Sequence, residues 1–134
     1  MLEMVKSLIL DFQEGKVETG VPRRLNDTPV EGKASVFVGV RRSGKSTLLM
    51  QRIRHLLEEG IPRENILFLN FFDDRVHPLR KGGVDVVHDA YYSLYPGKKG
   101  TERVHFFFDE IQETEGWEPF VDRLLRTESC TVTL

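Results

Sequence analysis

The chain of 134 residues has the length of one ordinary domain, and its 40% hydrophobic content is enough to build a core. A formal net charge of −2 leaves no electrostatic footprint for nucleic acid. No apolar run approaches the roughly 18 residues of a membrane span, Met1-Leu2-Glu3-Met4 does not open a signal peptide, and the single Cys130 excludes an internal disulfide and fits a reducing, cytoplasmic setting.

Leu2, Val5, Leu8, Ile9 and Phe12 form the stripe of an amphipathic helix that stops before Gly15, and such a stripe is expected to face a core. Residues 15–33, with Pro22, Pro29, Gly15, Gly20 and Gly32, read as a linker. Residues 1–33 are therefore expected to be a helix and linker, and residues 34–134 the core domain. Ala34 to Val38 is a short β-branched and aromatic strand. Directly after it, Gly39-Val40-Arg41-Arg42-Ser43-Gly44-Lys45-Ser46 fits the phosphate-loop pattern G-x-x-x-x-G-K-S/T without mismatch. Leu48, Leu49, Ile53, Leu56 and Leu57 then repeat at helical spacing up to Gly60 and Pro62, which completes the strand–loop–helix setting the pattern requires.

Polyphosphate carries several charges that must be held without a water shell. Backbone N–H groups from Arg42 through Thr47, including Ser43 and Gly44, can converge on the phosphates because Gly39 and Gly44 permit close approach. The helix that follows adds the positive end of its dipole. Lys45 supplies a cation for the β- and γ-phosphates, Ser46 is placed to ligate Mg²⁺, and Thr47 is within reach of the α-phosphate. Arg41 and Arg42 are equally well read as solvent-facing loop arginines.

Ile66 to Phe71 is the second strand; Asp73, Asp74 and Arg75 after it read as a surface loop. Val84 to Leu94 is helical and stops before Pro96-Gly97. Val104-His105-Phe106-Phe107-Phe108-Asp109-Glu110 is an apolar run ending in two carboxylates, the form of a Walker B strand buried on both faces. Asp109 is then expected to hold Mg²⁺ through water, and Glu110 to act as general base. Gln112 stands close enough to orient Glu110, and His105 reads as a core histidine. Trp117, Phe120, Val121, Leu124 and Leu125 line a helix with Trp117 as a core anchor, and Cys130 to Leu134 is a fourth strand. The four histidines lack the spacing and the partners of a metal site.

The alternation of strands and helices predicts an α/β P-loop NTPase fold, a mostly parallel sheet of about four strands flanked by helices. The Asp-Glu pair stands where signalling GTPases carry Asp-x-x-Gly, and Asn70-Phe71-Phe72-Asp73 lacks the lysine of a guanine-reading motif, so ATP is favoured over GTP. Small-molecule kinases share the phosphate loop but usually lack this glutamate, and stand second.

Gly39 through Leu49, then Asn70 through Arg75, then Phe107-Phe108-Asp109-Glu110-Ile111-Gln112 with Trp117 close behind, resemble the AAA-type P-loop ATPases of prokaryotes that often carry a further C-terminal domain. The likeness runs from about Val21 onward and implies an AAA+-related (ASCE-like) core that binds and hydrolyses ATP with Mg²⁺. Val40 departs from it, since the family commonly has proline there. Four strands rather than about five imply a truncated core without its last strand, arginine finger and lid. Slow hydrolysis and self-association, or a partner protein, follow as expectations. The alternatives are a nucleotide-binding module without turnover and an oligomerising remnant with no nucleotide role.

Overall fold

The computed structural model describes residues 1–15, 34–35 and 42–134; side chains are described for 1–15 and 47–134. Among these residues four strands make one sheet: β1 (Ala34–Ser35), β2 (Ile66–Asn70), β3 (Val104–Asp109) and β4 (Cys130–Thr133). All pairings are parallel and the order is β1-β4-β3-β2. β4 is thus inserted between β1 and β3, and the connection from β1 to β2 crosses the width of the sheet. The expected remainder of the first strand, residues 36–38, lies outside the described residues.

Among the described residues four α-helices cover the sheet: α1 (Leu2–Glu14), α2 (Arg42–Glu58), α3 (Val86–Leu94) and α4 (Trp117–Thr127). Side-chain alternation along the strands separates two cores. Val104, Phe106 and Phe108 of β3, with Leu67, Leu69, Cys130 and Val132, join residues of α3 and α4. Phe107 and Ile66 point the other way and meet Leu49, Ile53 and Leu56 of α2. All six residues of β3 are buried, so this strand reads as continuously apolar for the physical reason that both its faces are covered.

α1 belongs to the packed structure. Val5, Leu8 and Ile9 are buried in the α3/α4 core, while Phe12 stacks obliquely on Phe68 with ring centroids 5.4 Å apart. The helix lies along the outer strand β2, where Gln13 Nε2 donates to the Ile66 carbonyl at 3.2 Å. Tyr95 in turn donates from its hydroxyl to Gln13 Oε1 at 2.5 Å. α2 ends in a Schellman cap: Ile61 N–H donates to the Leu56 carbonyl and Gly60 N–H to that of Leu57, each at 3.1 Å. Gly60 takes φ +95 there, a left-handed turn that favours glycine.

Two local readings change. Residues after β2 form a 3-10 helix, Asp74–Lys81, rather than an irregular loop, because Asp73 caps it by accepting from the Arg75 N–H at 2.9 Å. Trp117 is only partly buried against the core at the start of α4, and Phe120 beside it is the anchored aromatic at 1% exposure. No helix among the described residues is long and apolar enough to cross a membrane.

Candidate functional site

Strand direction decides where the two acids lie. All strands run parallel, so their C-terminal ends share one edge of the sheet, and Asp109 and Glu110 stand at that edge. Asp109 follows the alternation of His105 and Phe107 and so belongs to the α2 face. Asn70 is its register partner on β2, and Thr133, partner of Phe107 on β4, lies on the same face one step back.

The orientation of α2 follows from its other end. Leu56, Glu59 and Ile61 line a cavity of about 530 Å³ together with Asn65, Arg103 and Ser129, which flank the N-terminal ends of the strands. The C-terminal end of α2 is therefore at the N-terminal edge of the sheet, and its first turn, with Gly44, Lys45 and Ser46, lies at the other end of this helix of about 25 Å, directed toward the acid edge. Gly39 lies outside the described residues, as do the side chains of Arg42, Ser43, Lys45 and Ser46; the backbone from Arg42 onward is helical. Thr47, directly after the motif, is half-buried.

Both carboxylates are secluded, Asp109 at 1% exposure and Glu110 at 5%. Glu110 has φ 59 and ψ 33, the left-handed conformation, and among the described residues no other non-glycine residue has positive φ. Its Oε2 accepts from Gln112 Nε2 at 2.8 Å. Around this pair the loops are tied together by Arg80. Its Nε donates to the Phe71 carbonyl at 3.1 Å, its guanidinium stacks 4.3 Å from the centroid of Phe72, and its own carbonyl accepts from Glu115 N–H at 2.8 Å. On the outer flank, Arg75 donates from Nη2 to Asp73 Oδ2 at 2.7 Å, and this bond holds the Asp73 carboxyl below its ordinary range.

The 530 Å³ cavity sits at the edge opposite the acids. His105 lines it and bonds Thr131 Oγ1 through Nδ1 at 2.8 Å. Burial, reinforced by Arg103 and opposed by Glu59, pushes its imidazole pKa down, so the ring is neutral at neutral pH, as suits a core histidine. Among the described residues no group of three or more His, Cys, Asp or Glu side chains is arranged to hold a metal ion.

Sequence reasoning missed the left-handed Glu110 and the Arg80 tie, since neither backbone torsion nor a contact between separate loops leaves a local signal. Gln112 was legible from its spacing alone.

The chain that folds into this parallel sheet is matched over residues 31–134 by a family model described as the AAA domain. The chain belongs to the AAA domain family. This AAA domain is thus an ATPase-like nucleotide-binding domain. It is 42% identical to an uncharacterized protein of Haemophilus influenzae over 89 residues, 66% of this chain and 21% of that protein. It is 29% identical to an uncharacterized protein of Methanocaldococcus jannaschii over 123 residues, 90% of this chain and 25% of that protein. The AAA domain therefore spans about a fifth to a quarter of the length of the curated relatives it matches. No solved structure matches it.

Proposed function

We propose that this AAA domain binds Mg·ATP at the C-terminal edge of its sheet and hydrolyses it, with residues 34–134 as the nucleotide-binding unit. The observation that carries the reading is the secluded Asp109–Glu110 pair at the edge toward which the first turn of α2 is directed. Backbone N–H groups from Arg42 through Thr47 cradle the phosphates, and Lys45 neutralises the β- and γ-phosphates. The oxygen donors Ser46 and Asp109 suit Mg²⁺, a hard cation that usually keeps waters beside one or two protein oxygens. Held by these two residues, Mg²⁺ would supply positive charge to offset that of the triphosphate. Glu110 takes the proton of the attacking water as its oxygen bonds to the γ-phosphorus, and the bond to the β-phosphate oxygen breaks to release ADP.

The test is calorimetric titration of Mg·ATP followed by measurement of phosphate release. Lys45→Ala is expected to weaken binding about 10- to 100-fold, the equivalent of the roughly 1.5–3 kcal/mol of a hydrogen bond to a charged group. Glu110→Gln is expected to keep binding and lower kcat by about 10²–10⁴. Binding without phosphate release in the wild type would reduce the function to nucleotide binding, and no heat from a folded chain would refute the reading altogether.

A further inference from the structure

Glu110 is held by its own loop. A glutamate has three side-chain torsions, and the last is broad and only two-fold, so an unanchored carboxylate samples many orientations. Here Gln112 Nε2 donates to Glu110 Oε2 at 2.8 Å, which commits one oxygen and sets the plane of the group. The left-handed backbone at Glu110 turns the chain back on itself so that a residue two positions later reaches its side chain.

The rest of the loop is secured at three points. Ile111 is buried at 2% exposure, Thr114 N–H closes the turn on the Ile111 carbonyl at 2.8 Å, and Glu115 N–H binds the Arg80 carbonyl. Gln112 itself is exposed while Glu110 is not, so the amide approaches the carboxylate from the solvent side. A neutral donor of this kind orients a base without adding a counter-charge that would weaken it.

We propose that Gln112 is a positioning residue, whose amide holds the Glu110 carboxylate in the orientation from which it accepts the proton of the attacking water. This rests on Glu110 being the general base. A residue that acts only through another loses its effect when that other is removed.

The experiment is steady-state phosphate release and calorimetric Mg·ATP binding on the full chain, in a double-mutant cycle of Gln112 and Glu110. Gln112→Met keeps length and packing but lacks the donor, and Gln112→Ala removes both. Each is expected to lower kcat about tenfold, with KM and Kd for Mg·ATP unchanged within about twofold, and to cause no further loss in the Glu110→Gln background. Full kcat in Gln112→Met, or equal losses in both backgrounds, would overturn the positioning role alone. An inactive wild type that still binds Mg·ATP would overturn the general-base reading and the positioning role with it.

Discussion

Glu110 combines two costs that a purely structural residue would not carry: a left-handed backbone and a secluded carboxylate. The backbone cost for a residue with a Cβ is about 1–2 kcal/mol, and glycine avoids it. Glu110→Gly is therefore expected to raise stability by about 1 kcal/mol in urea denaturation while removing phosphate release, the trade expected where strain is kept for function. A loss of stability would mean that the carboxylate's contacts outweigh the torsion.

α1 protects β2 as well as packing on the core. An outer strand presents unpaired backbone groups to any other strand, and Gln13 occupies one of them, the Ile66 carbonyl. Gln13 is 7% exposed and also receives the Tyr95 hydroxyl, so removing it leaves a buried carbonyl and a half-buried hydroxyl without this partner. Gln13→Leu is expected to cost about 1–3 kcal/mol, read from the midpoint of a denaturant transition. Within β3, Phe107→Ala should cost more, about 3–5 kcal/mol, because the ring is fully buried between the sheet and α2.

For the whole molecule, acid should act in two windows. His105 is neutral in the fold and its pKa is lowered from 6.5 by burial first, so the unfolded chain takes up the proton first. Its contribution is complete above 6.5 and declines as pH falls from there toward the folded-state value. Glu128 works through the opposite charge. Burial pushes its carboxyl up, but Lys99 and His88, the latter at 2.8 Å, outweigh burial and hold it below 4.5. This contribution is present above 4.5 and is lost as pH falls through the folded-state value. Glu128 joins the end of α4 to α3 and to the segment after it, so Glu128→Gln is expected to shrink the lower window of a stability–pH curve, to which Asp73 and Glu102 also contribute, and to leave the upper one.

Local chemistry made much of this protein legible in one dimension. The stripes of α1, α2 and α4, the continuous apolar run of β3 and the acids at its end follow from side-chain periodicity, which each segment carries by itself. The phosphate-loop pattern is likewise local, and with the Asp109–Glu110 pair it pointed to the family before any strand was paired. Only the tertiary structure decided that β4 lies between β1 and β3, that Asp109 belongs to the α2 face, that α1 packs along the edge of β2, and that Arg80 ties the two loops at the acid edge. These features are pairings between residues distant in the chain, or a torsion imposed by such pairings. Period and composition describe how one segment can bury its own face, and leave open which other segment covers it.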